Sequence, residues 1–248
     1  MLNSTYRLPK WLERALEEQK TVPRVRRYQK GEIILSQGEA ASSLCVILEG
    51  LVKLTVVSNC GKEAVIGILR SPDIIGEDCI LDDRQRLSSA IAVSSATLLN
   101  ISKSEISAAS SFPDFSNHLF TYVMSRKVRL EEDLVNQIFN SSEERLARTL
   151  LNLADGGSQR GGFVPAPKIS QETLASMVGT TRSRISFFMN GFRKRGAIRY
   201  GKTIEVNPSV LGEMVGTQDR LPFRVDSVGT SDAEYAARYP SGQHEPRC

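Results

Sequence analysis

Seven arginine and lysine residues cluster near the C-terminal end of the chain, in a segment without acidic residues. Between Thr173 and Ile204 the local charge is +7, whereas the whole chain of 248 residues carries only +4. The rest of the chain is therefore net negative, and the basicity is focused on one site. A focused positive patch attracts and neutralises phosphate groups. The seven residues are Arg182, Arg184, Arg193, Lys194, Arg195, Arg199 and Lys202.

Residues 170–199 carry the features of a helix-turn-helix that would present these cations. Ser170 is a good N-cap for a first short helix, and Gly179 can adopt the left-handed conformation that ends it. Thr180 or Thr181 can then cap a second helix at once. Four apolar residues of that second helix recur at helical spacing and predict one buried stripe. They are Ile185, Phe188, Met189 and Phe192.

The opposite face of the second helix has the side-chain types that read DNA. Arginine can hold a guanine edge through two hydrogen bonds, serine can contact phosphate or a base, and an aromatic ring can pack on a thymine methyl. A helical hairpin with a solvated basic rim is the alternative. The predicted contacts on this helix are Arg182, Ser183, Arg184, Ser186, Phe187 and Asn190.

Two short β-type runs follow, at residues 197–200 and 203–206, and a Gly-Lys turn joins them. This pattern predicts the hairpin wing of a winged helix-turn-helix. Lys202 lies at the tip of the turn, where it would contact the sugar-phosphate backbone without carrying sequence information. The alternative is an ordinary lysine in a surface hairpin.

Composition limits the other possibilities. The chain is 40% apolar, which suffices for one or two packed domains, and contains no run of about 20 apolar residues and no signal-peptide core. We therefore expect a cytoplasmic protein. Four scattered cysteines and two histidines argue against a disulfide framework or a zinc site. Because the chain has no P-loop, no G-x-S-x-G and no paired histidine and carboxylate constellation, we do not expect an enzyme.

Residues 25–101 consist of short β-type runs separated by glycines, with a hairpin turn at 59–62. Such a pattern predicts an antiparallel sandwich or roll. An N-terminal helix around residues 11–18 would pack on it. The chain should therefore be an α+β protein. We divide it into an N-terminal arm (1–24), a roll (25–114), a long helix (115–140), a winged helix-turn-helix (141–211) and a disordered tail (212–248).

The long helix has an apolar seam in alternating three- and four-residue steps, which is typical of a dimerisation helix. The alternative is a core helix that packs on its own roll. Ser141 and Glu144 then form a capping box, so the break before the next helix is a candidate hinge, and residues 155–162 should be a flexible loop. The predicted seam residues are Leu119, Val123, Arg126, Leu130, Leu134 and Ile138.

Several motifs in fixed order resemble the cyclic-AMP receptor protein and fumarate-nitrate regulator (Crp/Fnr) family. They are Gln37-Gly38-Glu39, Leu48-Glu49-Gly50-Leu51-Val52, Ile75-Gly76-Glu77 and the winged helix-turn-helix. The resemblance covers about residues 20–211. The resemblance implies a cyclic-nucleotide-binding β-roll, a dimerisation helix and a C-terminal domain that binds palindromic DNA. The expected partners are double-stranded DNA, a second copy of the chain and RNA polymerase, with no membrane.

The resemblance also implies an effector site in the roll, where this sequence departs from the cyclic-AMP branch. Gly76 and Glu77 match, but the arginine position of the phosphate site holds Leu87, so a charge-assisted fork is lost. On the long helix, the cyclic-AMP branch places small hydroxyl residues against the base of the ligand, and the aligned positions here hold Leu130 and Glu131. We therefore do not expect cyclic AMP to bind. The candidate effector residues are Gly76, Glu77, Arg84, Arg86, Ser88, Ser89, Leu130 and Glu131.

Other cofactors have little support. An iron-sulfur cluster needs grouped cysteines, usually near the N-terminus in this family, and the first cysteine here is Cys45. Cys79 could bind haem or sense oxidation as a thiolate, but a small buried thiol is the more common role, so haem is not expected. The predicted function is a sequence-specific regulator with an unidentified effector. The alternative is an architectural or effector-independent DNA-binding protein.

Overall fold

The computed structural model describes Leu12 and residues 24–81, 83–154 and 162–215. Two four-stranded antiparallel sheets face each other in the N-terminal part, in the orders β1-β8-β3-β6 and β2-β7-β4-β5. This is the predicted β-roll. Its strands are β1 (Arg24–Tyr28), β2 (Ile33–Leu35), β3 (Ser43–Glu49), β4 (Leu51–Val57), β5 (Glu63–Arg70), β6 (Ile74–Ile75), β7 (Ser89–Ala92) and β8 (Ala96–Ser102).

The strand β3 contributes to two separate cores because successive side chains of a strand point to opposite faces. Cys45 and Ile47 are buried between the two sheets. Leu44 and Val46 pack on the other side, against helices. Gly50 joins β3 to β4 at a φ of +88°, and a Cβ there would lie 2.3 Å from the Ser95 carbonyl oxygen. This close approach of backbones explains why a glycine stands at the turn.

Three helical elements cover the roll. A short 3₁₀ helix spans Glu77–Ile80, α1 spans Lys103–Ala109, and α2 spans Pro113–Phe139. The observed α2 confirms the predicted long helix of residues 115–140 within two residues at each end. Phe115 and Leu119 in its first turns are buried in the core between the roll and its covering helices. Leu12, which is the described part of the predicted N-terminal helix, is buried in the same core.

The C-terminal part is a winged helix-turn-helix with its own core. It comprises α3 (Ser142–Ala154), β9 (Val164–Pro165), α4 (Gln171–Val178), α5 (Arg182–Lys194), β10 (Ile198–Tyr200), β11 (Ile204–Val206) and α6 (Pro208–Met214). The strands form one sheet in the order β10-β11-β9. The predicted apolar stripe of α5 is confirmed, because all four of its residues are buried in this core.

This C-terminal part rests on the edge strand β5 of the roll. Ile68 of β5 packs against the core of this C-terminal part. Arg70 donates a hydrogen bond of 2.9 Å from its Nη2 to the Asn152 carbonyl oxygen. An exposed strand edge is prone to unwanted pairing, and here α4 lies against it.

Some predictions lie outside the described residues, namely most of the arm, residues 155–161 of the predicted loop and residues 216–248 of the predicted tail. The predicted disorder is wrong for the first residues of the tail, because residues 212–214 belong to α6. Asn207 caps that helix and Pro208 opens it, so the helix continues where composition alone indicated disorder. Among the described helices, none is long and apolar enough to cross a membrane.

Candidate nucleic-acid interface and the Gly76 cluster

Side-chain caps fix the two helices of the turn. Ser170 Oγ accepts a hydrogen bond of 3.1 Å from the Thr173 amide, at the start of α4. Gly179 ends α4 in the left-handed conformation, with a φ of 69°. Thr181, and not Thr180, caps α5 by accepting a hydrogen bond of 3.3 Å from the Arg184 amide. The predicted tight turn is therefore confirmed.

One side of α5 is exposed, and we call it the basic face. It comprises Arg182, Ser183, Arg184, Phe187, Asn190 and Lys194, all of which are exposed. Ser186 was predicted as a DNA contact, but it is half-buried and donates a hydrogen bond of 2.6 Å to Gln171 Oε1. The structure therefore gives Ser186 a role in holding α4 and α5 together.

Three cations of the acid-free segment pair with acidic residues, two of which flank the segment directly while the third, Glu143, lies on α3. Glu172 Oε1 lies 3.4 Å from Arg182 Nη1, and both side chains are about 70% exposed. Glu205 pairs with Arg199, and Glu143 pairs with Arg195. Four cations have no ion pair among the described residues, so the available charge is smaller than the sequence count. They are Arg184, Arg193, Lys194 and Lys202.

The wing is a short hairpin with Lys202 exposed at its tip. The Gly201 amide donates a hydrogen bond of 2.9 Å to the Thr203 carbonyl oxygen, which closes the turn. Behind the tip, the Arg199 guanidinium stacks on the Phe163 ring at 4.3 Å from its centroid. Arg199 is thus engaged within the protein, whereas Lys202 is available for a phosphate.

Arg145 joins the hinge to the helix-turn-helix, and sequence reasoning missed it. Its Nε donates to the Val178 carbonyl oxygen at 3.0 Å, at the end of α4. Its Nη1 donates to the Asn140 carbonyl oxygen at 2.9 Å, at the end of α2. One guanidinium therefore links the carbonyl ends of two helices, where cations are favoured by the helix dipole. The nearest sequence signal is its place directly after the capping box.

In the roll, the guanidinium of Arg86 packs on Gly76. A Cβ added to Gly76 would lie only 2.7 Å from Arg86 Nη1. The same Nη1 is 3.0 Å from Asp78 Oδ1, and Nη2 donates to the Ser43 carbonyl oxygen at 2.6 Å. The Arg86 residue is only 4% exposed. Its charge is therefore paired, and both of its terminal nitrogens are engaged inside the protein.

A second ion pair lies beside it. Glu77 Oε1 is 3.0 Å from Nε of Arg126 on α2. Burial opposes the charge of Arg126, but the Glu77 carboxylate raises the pKa of this guanidinium. Tyr122 donates its hydroxyl to the Ile74 carbonyl oxygen at 2.8 Å, and burial raises the pKa of Tyr122 to about 12. We call Gly76, Glu77, Asp78, Arg86 and Arg126 the Gly76 cluster.

The other candidate effector residues do not join the Gly76 cluster. Arg84 is exposed, and Leu87 is 74% exposed. Ser88 is half-buried, and Ser89 Oγ accepts a hydrogen bond of 3.0 Å from the Gln37 amide. On α2, Leu130 is exposed and Glu131 pairs with Lys127 one turn away. Within this chain, the structure brings together the candidates Gly76, Glu77 and Arg86 but not the other five candidates, Arg84, Ser88, Ser89, Leu130 and Glu131.

The two cysteines of the roll core are buried. Burial raises the pKa of Cys45 and of Cys79 to about 11, although the charge of Arg86 opposes the shift in both. Both residues are therefore thiols at neutral pH, which disfavours attack on oxidants and coordination of haem iron.

The predicted seam of α2 needs correction in its first half. Leu119 and Val123 pack in the core of the roll, and Arg126 binds Glu77, so none of them faces outward. The helix α2 has two neighbouring apolar faces, one packed on the roll and one exposed. The exposed face begins at Phe120, one position after the buried Leu119. The exposed apolar residues are Phe120, Met124, Leu130, Leu134, Val135, Ile138 and Phe139.

Comparison with known proteins agrees with both halves of the fold. Residues 25–110 match the family model of the cyclic nucleotide-binding domain, and residues 144–217 match that of the Crp-like helix-turn-helix domain. The FixK2 structure from Bradyrhizobium japonicum aligns with a TM-score of 0.69 at 18% identity. It covers 79% of this chain and 98% of FixK2.

Two curated relatives align with this chain over most of their own length. The "CRP-like cAMP-activated global transcriptional regulator" of Mycobacterium tuberculosis is 28% identical over 186 residues, which are 73% of this chain and 83% of the relative. The "Cyclic AMP receptor protein" of Thermus thermophilus is 29% identical over 194 residues, 77% and 87% of the two chains. With the two domain models in the family's order and the matching fold, these relatives show that the chain belongs to the Crp/Fnr family of transcriptional regulators.

Proposed function

We propose that the protein acts as a homodimer that binds palindromic promoter sites and regulates transcription there. The roll of residues 25–114 would be the sensor part, residues 115–140 the dimer contact, and residues 141–211 the DNA-binding part. RNA polymerase would be a further partner at the promoter. Because promoter DNA would be its target, the protein would act in the cytoplasm.

The basic face of α5 is the observation that carries the proposal. Its side chains are exposed, and its helix is fixed from behind by four buried apolar residues and by the Thr181 cap. A helix with these properties can enter the major groove and place its N-terminal residues on base edges. Lys202 and Lys194 would then neutralise phosphates on either side.

The exposed apolar residues of α2 support the homodimer. Seven large apolar side chains lie along one helix, and the roll leaves them uncovered. A patch of this kind usually marks an interface, and a second copy of the same helix is the partner that matches it. A two-fold symmetric dimer would present two α5 helices to two half-sites, which explains why the sites should be palindromic.

Selection of binding sites from a random DNA library with the purified protein tests the function directly. We expect an inverted repeat with half-site centres one helical turn apart, bound by a dimer. Enrichment of no sequence, with uniform coating of DNA, would instead indicate an architectural protein. A wild-type protein that sediments as a monomer at micromolar concentration and occupies one half-site would refute the dimer.

A paired substitution locates the dimer contact. Leu130→Glu combined with Leu134→Glu should yield monomers that no longer bind the selected site specifically, because four carboxylates would meet in the interface. Ile33→Glu is the matched control, since Ile33 is equally exposed but lies on strand β2 of the roll. That variant should remain dimeric and bind the site like the wild type.

An effector-independent regulator is the second candidate, and the Gly76 cluster favours it. The matched domain model implies a cyclic nucleotide, whose phosphate would need the Gly76 backbone and a free guanidinium. Arg86 instead packs on Gly76 and is paired with Asp78, so the residues do not fit a phosphate in this arrangement. The words "cAMP-activated" in the name of the Mycobacterium tuberculosis relative describe that protein.

Thermal unfolding with added cyclic AMP tests this inference. A ligand that binds only the folded state stabilises it by about 2.7 kcal/mol at one hundred times its dissociation constant. We expect millimolar cyclic AMP to leave both the Tm and the affinity for the selected site unchanged. An upward shift of several degrees would show that Arg86 can leave Asp78 and accept a phosphate.

A further inference from the structure

Phe187 stands out among the apolar residues of the DNA-binding part. Its side chain is 74% exposed, although it lies in the middle of α5. Among the described residues from 142 to 215, Tyr200 is the only other large apolar residue that is at least half exposed. Exposing a phenyl ring to water is unfavourable in free energy, so its place on a surface of arginine, serine and asparagine requires an explanation.

The ring of Phe187 has a firm support. It packs edge-on against the ring of Phe188, with 5.9 Å between centroids and an interplanar angle of 66°. Phe188 is buried, and the Arg184 guanidinium lies 5.7 Å from its centroid. Contacts of this geometry orient aromatic rings. The support therefore holds the Phe187 ring on the basic face, and little side-chain entropy is lost when it meets a partner.

Phe187 also occupies the centre of the basic face. Ser183 lies one turn before it and Asn190 one turn after it, and both are exposed polar residues. On a helix, residues three or four positions apart are neighbours on one side. The helix therefore offers hydrogen-bonding groups at both ends of this row and one apolar surface between them.

The major groove contains one apolar group that such a surface can recognise, the C5-methyl of thymine. We propose that Phe187 is a specificity-determining residue that packs on the C5-methyl of a pyrimidine in each half-site. The protein would then distinguish thymine from uracil, and 5-methylcytosine from cytosine, by this contact alone. The inference rests on the proposed function, because it assumes that α5 enters the major groove.

The size of the effect follows from the burial of one methyl group. About 0.8 kcal/mol per buried carbon corresponds to a roughly four-fold change in affinity for each half-site. A symmetric dimer makes the contact twice, so removal of both methyls should weaken binding about fifteen-fold. Hydrogen bonds are unaffected, because uracil and thymine present the same donors and acceptors.

The experiment uses the full-length dimer and the site selected by the wild type. Each thymine is replaced by dU in turn, symmetrically in both half-sites, and affinities are measured at constant salt. We expect one position to lose about fifteen-fold and the others to change little. The same series with Phe187→Ala should show no loss at that position, since a double-mutant cycle isolates the contact between ring and methyl.

Two controls sharpen the test. Ser183→Ala alters a neighbour on the same face and should retain the full uracil penalty. When the sensitive thymine is replaced by cytosine, 5-methylation of that cytosine should recover affinity in the wild type but not in Phe187→Ala.

Insensitivity of every position to dU, with the selected site still bound, would overturn the inference and leave the proposed function intact. An equal uracil penalty in the wild type and in Phe187→Ala would also overturn it. Failure of the library to yield any site would refute the proposed function instead. The two ideas can therefore fail separately.

Discussion

The basic face of α5 and the Gly76 cluster use the same residue type in opposite ways. Arg182 forms an ion pair with Glu172 in which both side chains are about 70% exposed. Arg86 forms an ion pair with Asp78 with its own side chain only 3% exposed. Exposed pairs contribute about 0–1 kcal/mol and are readily exchanged for a phosphate or a base. Asp78 is 33% exposed, so the buried charge of the pair is that of Arg86, which would have no counter-ion and little water if Asp78 were removed.

This difference indicates which arginines can recognise a ligand. The guanidinium of Arg182 can leave Glu172 at little cost, so it remains available to DNA. The guanidinium of Arg86 also binds the Ser43 carbonyl oxygen, so its departure would break both the ion pair with Asp78 and this hydrogen bond. The arginine of the DNA-binding part can therefore exchange its carboxylate for a ligand, whereas the arginine of the roll remains bound to groups of the protein itself.

Substitution of the buried arginine should have the largest effect. Arg86→Ala leaves Asp78 without its counter-ion and the Ser43 carbonyl oxygen without its donor, so we expect a loss of about 2–4 kcal/mol in the free energy of unfolding. Arg84→Ala is the matched control two residues away. Because Arg84 is exposed, its loss should change stability by less than about 0.5 kcal/mol. Urea denaturation of both variants measures the difference, and equal midpoints would contradict it.

The helix-turn-helix was predictable because its signals are local. The caps Ser170 and Thr181, the glycine that ends α4 and the stripe of α5 all lie within one short stretch, and each was found where expected. The glycine-separated β-type runs predicted an antiparallel sandwich or roll, and the family resemblance added its cyclic-nucleotide-binding type. Local pattern and global fold agree here, which is the condition under which sequence reasoning works.

The Gly76 cluster was only half predictable because its contacts are not local. Gly76, Glu77 and Arg86 were candidates, but Arg86 binds Ser43, which lies 43 residues away in sequence, and Glu77 binds Arg126, which lies on α2. Arg126 itself was assigned to the dimer seam. An arginine within an apolar repeat was the signal that this position faces a carboxylate.

On the basic face, Arg182→Ala should cost about 1–3 kcal/mol of binding free energy on the selected site. The loss should also relax preference at one base pair of each half-site. Titration against the selected site and a scrambled site of equal length checks this expectation. An equal loss on both DNAs would mean that Arg182 contacts only phosphate. Arg184, which has no ion pair among the described residues, would then be the better candidate for a base contact.

Lys202 should behave as a phosphate contact with a smaller effect. Lys202→Ala should weaken binding to the selected and scrambled sites alike and reduce the salt slope by about 0.9 for each lost contact. The measurement is the affinity at several salt concentrations. Lys62 is a control, since it is an exposed lysine in the β4–β5 turn of the roll, and Lys62→Ala should leave the slope unchanged. Loss of base preference in Lys202→Ala would contradict the assignment.

The smallest expected effect concerns two equivalent capping boxes, one in each region. At the hinge, the Ser141 amide donates to Glu144 Oε2 at 2.7 Å, and the Ser141 hydroxyl accepts from the Glu144 amide at 3.3 Å. In the roll, Ser102 and Glu105 form the same box at the start of α1. Hydrogen bonds from the Ser141 side chain and amide lower the pKa of Glu144. Burial works against the shift at Glu105, but the Ser102 hydrogen bonds lower its pKa too.

A lowered carboxylate pKa stabilises the folded state above the unfolded value of about 4.3, and the contribution is lost as the pH falls through the folded value. Ser141→Ala and Ser102→Ala should therefore each cost about 0.5–2 kcal/mol at pH 7 and less at pH 3. Only the hinge box lies beside Arg145, which holds α2 to α4. Ser141→Ala should thus also weaken binding to the selected site, whereas Ser102→Ala should not. If the two variants bind the site equally well, the capping box at the hinge supports the helix α3 alone and has no part in aligning the two α5 helices on DNA.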